Sequence, residues 1–140
     1  LLFRTDNLDV LSREAELNEL IQNYRVSLGY DVLIVEPEIT LLARAHSHHM
    51  GTHSFFDHPN PEGDSAWDRA TRANIIWSGF GENIATGQET AEEVFADWLA
   101  SENHRRTVED PDWTHIGTGY SWNPSSLGGH LWTTNFKEKP

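Results

Sequence analysis

The sequence predicts an α+β fold within one domain, since 140 residues suit a single core. Leu17, Ile21 and Tyr24 recur at the spacing of one helix face early in the chain. Two segments near the C-terminus, 116–122 and 130–136, have the pattern of strands joined by a hairpin loop. Helices that come early and strands that come late favour α+β over repeated βαβ units.

The helices can be placed one by one. The first should run over residues 9–28, with Gly29 as its stop. A second should begin near Pro37, because proline fits the first helical turn, and Gly51 should end it. A long loop containing two prolines follows, and residues 65–73 indicate a short third helix.

A fourth helix is predicted after Thr90. Thr90 and Glu93 form the pattern of a capping box, in which a hydroxyl caps the helix and a carboxylate follows three residues later. Val94 and Trp98 lie on its apolar face. We expect four tryptophans to pack in the core: Trp67, Trp98, Trp113 and Trp132.

Composition excludes several classes of protein. The net charge is −12, with 10 Lys and Arg against 22 Asp and Glu, so no basic face is available to bind nucleic acid. No apolar run approaches the roughly 20 residues of a membrane-spanning helix, which predicts that the chain is not transmembrane. The sequence has no cysteine, which excludes disulfides, thiolate zinc sites and cysteine nucleophiles.

Four segments, in order, resemble the CAP superfamily. This superfamily comprises the cysteine-rich secretory proteins, the insect-venom antigens (antigen 5), the plant pathogenesis-related proteins and their bacterial SCP-like relatives. The segments are AHSHHM with FFDH within 45–58, GENIA at 81–85, WLASENHR at 98–105, and IGTGY with WTTNF at 116–120 and 132–136. The match is bacterial in type, and its core spans about residues 15–136 of the single domain 1–140.

The resemblance implies a three-layer α-β-α sandwich with a central antiparallel sheet and a polar cleft. In eukaryotic members the cleft holds two His and two Glu. His58 and Glu82 match the first His and the first Glu, whereas Ser101 and Leu131 occupy the other two positions. Bacterial members commonly carry a His three residues after the vacant Glu position, which here is His104, just past the expected helix end.

The eukaryotic tetrad is therefore not intact. His130 adjoins the vacant position 131, but neighbouring residues of a strand face opposite sides, so His130 should face away from the cleft. Thr134 also replaces the family's Gln. The resemblance implies a cleft of His58, Glu82, Ser101 and His104, with His58 and His104 as metal ligands together with Glu82.

Each of these residues has a plainer interpretation. His58 can anchor its loop through ring hydrogen bonds, or act as a metal ligand or base. Glu82 can be a buried acceptor that organises the sheet edge, or a base that polarises water. His104 can be a cation placed at the negative end of a helix, or a second imidazole of the cleft.

A cluster of four histidines precedes the loop. His49 and His53 have the i, i+4 spacing of a helical zinc site, but they lack the Glu of the His-Glu-x-x-His pattern. We therefore expect His46 to face the core and its neighbours, His48 among them, to be exposed.

Three functions stay open. The resemblance favours a secreted binding module for an extracellular ligand, whether lipid, glycan or protein. A metal-assisted hydrolase or peptidase using the same cleft is the alternative, and a structural role at a cell surface is the third. The cofactor is either none or a divalent metal such as zinc. Because the chain opens with Leu1, we expect a processed or truncated product of a secreted prokaryotic protein, whose signal peptide is not in this chain.

Overall fold

The computed structural model describes residues 2–140. The described chain forms five helices and four strands. Their bounds are α1 Leu8–Ser27, β1 Ile34–Val35, α2 Pro37–His53, α3 Ala66–Arg72, β2 Gly79–Thr86, α4 Ala91–Ala100, α5 Glu102–Glu109, β3 His115–Trp122 and β4 His130–Glu138.

The elements form the three layers that the resemblance implies. The sheet has the order β1-β3-β4-β2, in which β3, β4 and β2 are antiparallel and the two-residue β1 runs parallel to β3 at one edge. Helices α2 and α3 cover one face, and α1, α4 and α5 form the other helical layer. The predicted α-β-α sandwich is confirmed, and β2 is left as the edge strand next to both layers.

Close packing of α2 against β3 depends on glycine. A Cβ at Gly119 would lie 1.9 Å from the backbone nitrogen of Arg44, so no larger residue fits without moving the helix. At the same place the Arg44 guanidinium makes two hydrogen bonds to Glu14, of 2.8 and 2.6 Å, in the buried interior. Glu14 also accepts a hydrogen bond of 2.9 Å from the Tyr120 backbone N–H. This ion pair links α1 and α2 to β3.

Local signals predicted most helix boundaries correctly. Helix α1 ends within a residue of the expected position, α2 begins at Pro37, and Thr90 accepts a hydrogen bond from the Glu93 N–H at the start of α4. The strands also lie where the alternation places them.

Two predicted helix ends are wrong. Helix α2 continues past Gly51 to His53, and Ser54 closes it with a left-handed φ of 52°. Gly51 serves packing instead, because a Cβ there would lie 3.2 Å from the Cβ of Asn123. His104 does not follow a helix end, because the extended Ser101 ends α4 and at once begins α5, which contains His104.

The tryptophans are divided between core and surface. Trp98 and Trp132 are fully buried, as expected, and Trp113 is partly buried against the same cluster. Trp67 is 53% exposed, so its placement in the core was wrong. Its indole N–H donates to the Phe80 carbonyl, which ties α3 to β2 and leaves the ring at the surface.

None of the helices within residues 2–140 combines the length and the apolar character that a membrane crossing requires.

Candidate functional site at the edge of the sheet

Glu82 lies at the centre of a hydrogen-bond network on edge strand β2. Its side chain is only 2% exposed. Arg69 of α3 donates to both carboxylate oxygens at 2.9 and 2.8 Å. Asn135, the register partner of Glu82 on β4, donates to Oε2 at 3.0 Å, and His58 Nδ1 lies 2.9 Å from Oε1. Each of these partners donates a hydrogen bond to the carboxylate, so the surroundings of Glu82 favour its ionised form.

The pKa of Glu82 reflects these donors. Burial alone would raise it, but the hydrogen bond from His58 and the positive charge of Arg69 more than offset burial and hold the pKa at about 2. Glu82 is therefore ionised at every ordinary pH and can only accept hydrogen bonds.

The ring orientation of His58 follows from that charge. Because ionised Glu82 can only accept, Nδ1 of His58 must carry the proton that joins them. The hydrogen bond to Glu82 raises the pKa of His58 above its usual value. The side chain is 48% exposed, and its Nε2 has no hydrogen-bond partner within residues 2–140. In neutral His58 the lone pair therefore lies on Nε2, while the Glu82 carboxylate holds the ring through Nδ1.

His104 reaches the same edge from the other helical layer. Successive residues of β2 face opposite sides: Glu82 meets α3, whereas the Asn83 amide donates to the His104 carbonyl at 3.0 Å and fixes α5. Partial burial lowers the pKa of His104, and the charge of nearby His58 lowers it further. His104 lies near enough to His58 for the charge of one imidazole to act on the other, and the two rings make no mutual hydrogen bond within residues 2–140.

His46 supports the loop that carries His58. It is 2% exposed, as expected for a residue facing the core, and its Nε2 lies 2.9 Å from the Asp57 carbonyl oxygen. Burial lowers the pKa of His46 to about 4, so the ring is neutral at neutral pH. A carbonyl can only accept, so Nε2 carries the proton and Nδ1 is an acceptor.

The vacant second His position of the tetrad, residue 131, and its neighbour His130 contribute no imidazole to this face. Leu131 is fully buried with Met50 and Ile84 beneath α2. His130 lies on the opposite side of β4, where its Nδ1 is 2.7 Å from the Tyr120 hydroxyl, as strand alternation predicts.

Ser101 has a backbone role. It is at once the C-cap of α4 and the N-cap of α5, and its hydroxyl makes no hydrogen bond to an imidazole within residues 2–140. The described residues also contain no ready-made group of three or more His, Cys, Asp or Glu for a metal ion. Both oxygens of Glu82 are already committed to hydrogen bonds, so the nitrogen donors left for the predicted metal site are the imidazoles of His58 and His104.

Sequence reasoning missed Arg69 and Asn135. Arg69 also donates to the His58 carbonyl at 2.9 Å, so it positions both ends of the His58–Glu82 contact. Neither residue forms a recognisable motif with Glu82, from which they are separated by 13 and 53 residues. Asn135 lies opposite Glu82 in the register of β2 and β4, so a prediction of that register would have identified it.

Known proteins resemble this chain in sequence. The chain matches the cysteine-rich secretory protein (CAP) family over residues 19–136. It is 36% identical over 127 residues to the uncharacterized protein YkwD of Bacillus subtilis, covering 91% of this chain and 48% of that protein. The uncharacterized membrane protein YlbC of the same organism is 29% identical over 106 residues, covering 76% of this chain and 31% of YlbC. The chain thus spans half or less of these relatives.

Solved structures share the fold. An extracellular protein with an SCP domain from Bacillus anthracis superposes with a TM-score of 0.84 at 23% identity, covering 98% of this chain and 44% of that one. An outer surface protein of Borrelia burgdorferi gives a TM-score of 0.84 at 17% identity, and each chain is covered completely. The family match covers most of this chain, and both solved structures have the same sandwich. The chain therefore belongs to the CAP, or cysteine-rich secretory protein, family.

Proposed function

We propose that this domain is an extracellular binding module whose ligand face is the pair His58 and His104, with a divalent ion such as zinc held weakly between them. The extracellular location is inferred from relatives described as an extracellular protein and an outer surface protein. One observation carries the proposal: Glu82 holds His58 by Nδ1 and leaves Nε2 directed away from the carboxylate.

A carboxylate behind an imidazole is the usual support of a metal-binding histidine. It fixes the tautomer, orients the ring and makes the outer nitrogen more basic. Glu82 meets each requirement, being ionised, buried and hydrogen-bonded to Nδ1. In this proposal Glu82 positions His58, and it is not itself a ligand.

The donor count predicts weak affinity. Stable zinc sites use three or four protein ligands, whereas this edge supplies two imidazoles and leaves the remaining positions to water or to a ligand group. An open coordination shell suits a binding module, because an extracellular lipid, glycan or protein that offers an oxygen donor can complete it. Such an ion would supply positive charge to a chain whose formal net charge is −12.

Calorimetry with zinc tests the proposal. We expect micromolar or weaker binding that fades below about pH 6, because the imidazoles protonate and no longer bind metal. His58→Ala and His104→Ala should each abolish it.

His49→Ala and His130→Ala are the matched controls, since each removes a histidine elsewhere and should leave zinc binding unchanged. Nanomolar affinity in the parent protein, or loss of binding with His49 in place of His104, would contradict the proposed pair.

A further inference from the structure

A surface hollow of about 320 Å³ lies between the start of α1 and the hairpin of β3 and β4. Its volume is near the lower end of the roughly 300–1,000 Å³ that is typical of small-molecule sites. Its aromatic and polar walls come from Asn7, Asp9, Arg13, Tyr120, Trp122 and His130. Among the described residues that line it, none belongs to the His58–His104 face, so the hollow is a separate place on the molecule.

Trp122 gives the hollow an aromatic surface that the fold does not use. The residue is 54% exposed. Four other tryptophans donate their indole N–H to a backbone carbonyl, namely Trp67, Trp98, Trp113 and Trp132. The indole N–H of Trp122 has no such partner in the part of the chain that the structure describes. Single exposed apolar residues are common at surfaces, but this one leaves both its ring and its N–H available to a ligand.

The Trp122 ring is supported by its neighbours. Gly129 lies against it, since a Cβ at residue 129 would be only 2.6 Å from Cζ3 of the indole. The His130 ring packs on it with 4.5 Å between ring centroids. His130 Nδ1 in turn lies 2.7 Å from the hydroxyl of Tyr120, which is 2% exposed. These contacts connect the exposed ring to the core, so little side-chain freedom is lost when a ligand binds to it.

Accessible polar groups lie beside the indole. The Asp9 side chain is 69% exposed, and Arg13 engages only its Oδ2, at 3.0 Å, which leaves Oδ1 as an acceptor. Exposed Asn7 uses its Oδ1 to accept from the Val10 N–H at 3.1 Å, which leaves its amide N–H groups as donors. A ligand reaches these groups without breaking a hydrogen bond of the chain. A hydroxyl group suits both, because it donates one hydrogen bond and accepts others.

The charges around the hollow favour a neutral ligand. Asp9 and Arg13 form an ion pair, so an anion would lie beside a carboxylate and a cation beside a guanidinium. Burial lowers the pKa of His130, and the charge of Arg13 lowers it further, so the imidazole is neutral at neutral pH. Glu89 and Glu93 act on His130 in the opposite sense, which shows that the outer surroundings are acidic. An anion is therefore the least suitable ligand, and a cation is the competitor that an experiment must include.

We propose that this hollow binds one neutral sugar ring, whose apolar C–H face packs on Trp122 and whose hydroxyl groups bond to Asp9 and Asn7. A sugar ring combines an apolar face with hydroxyl groups at its edge, which matches an indole bordered by a donor and an acceptor. A proline ring also packs on indoles, but it has no hydroxyl to donate to Asp9. The site lies outside the proposed metal face and needs no zinc, so either proposal can fail without the other.

An NMR titration in the presence of a metal chelator tests this site, with methyl glucoside and N-acetylglucosamine as the neutral probes. We expect saturable shifts of the Trp122 indole N–H and of amides within residues 7–13 and 120–130, with a dissociation constant in the millimolar range. Added salt should leave the affinity unchanged, because a neutral ligand gains nothing from the charges that salt screens. Choline and N-acetylproline amide, the cationic and proline competitors, should bind more weakly by about tenfold or more.

Trp122→Ala removes the aromatic surface and should abolish the shifts. Trp67→Ala is the matched control, because it removes an indole that is 53% exposed on α3 and should leave sugar binding intact. Asp9→Ala should weaken binding several-fold, whereas Asp6→Ala, which removes another exposed carboxylate just before α1, should not. The absence of saturable shifts with both sugars, tighter binding of choline or of the proline amide, or parental affinity in Trp122→Ala would overturn the proposal.

Discussion

At the scale of single residues, Glu82 determines how the polar side chains around edge strand β2 are oriented and paired. Its charge fixes the tautomer of His58, balances buried Arg69 and, through Asn135, ties β2 to β4. A carboxylate with so many donors is poorly available as a base or ligand. The sequence identified Glu82 as important, but it could not choose between these roles, because the donors come from three separate parts of the chain.

Replacing Glu82 should destabilise the fold. Glu82→Ala removes an acceptor, worth roughly 1–3 kcal/mol. It also leaves Arg69 as an unpaired buried charge, so we expect the free energy of unfolding to fall by about 3–5 kcal/mol in urea titrations. Glu102→Ala removes an exposed partner of Arg106 and should cost less than about 1 kcal/mol. An unchanged stability of Glu82→Ala would show that the network is not formed.

At the scale of elements, local patterns predicted what local chemistry determines. Thr90 caps α4 and Pro37 begins α2, as their side chains predict. The break at Ser101 was missed because it has no glycine or proline signature, and it decides where His104 lies. The approach of α2 to β3 was also beyond local reasoning, because it is a contact between distant segments.

That close approach makes a second prediction about stability. Gly119→Ala forces a Cβ to within 1.9 Å of the Arg44 backbone and should cost about 3 kcal/mol or more, measured by thermal or urea unfolding. Gly79→Ala on edge strand β2 is the control, because its Cβ would meet the movable end of Glu138 at 3.0 Å, that residue's Cβ at 3.3 Å and the Trp113 ring at 3.6 Å, and no backbone atom. Equal effects of the two substitutions would show that α2 can shift freely.

At the scale of the whole molecule, the topology determines what surrounds β2. It is an edge strand of the sheet, and it contacts α3 of one helical layer and α5, which carries His104, of the other. The family resemblance correctly gave the sandwich, whereas its pairing of His58 with His104 stays a prediction. It could not give their supports, since Arg69 and His46 act through contacts that only the folded chain brings together.

The buried histidine predicts loss of stability in acid. The pKa of His46 falls from 6.5 to about 4 on folding, so the unfolded chain binds more protons between these values. Stability is therefore full above about pH 6.5 and should decline by roughly 3 kcal/mol on the way to pH 4. Glu82, whose pKa is also lowered, adds a further loss below about pH 5.

Urea unfolding at a series of pH values measures how the free energy of unfolding changes with pH. His46→Gln should flatten this slope between pH 6.5 and 4, whereas His53→Gln, an exposed change on the same helix, should not. A slope that persists in His46→Gln would assign the acid sensitivity to other groups.

The most direct test of the central claim is anomalous diffraction at the zinc edge from crystals soaked with zinc near pH 7.5. The account predicts one partly occupied peak between Nε2 of His58 and the imidazole of His104, with Glu82 still hydrogen-bonded to Nδ1 behind it. A peak bound directly by Glu82, a peak among the histidines of α2, or no peak at millimolar zinc would contradict it.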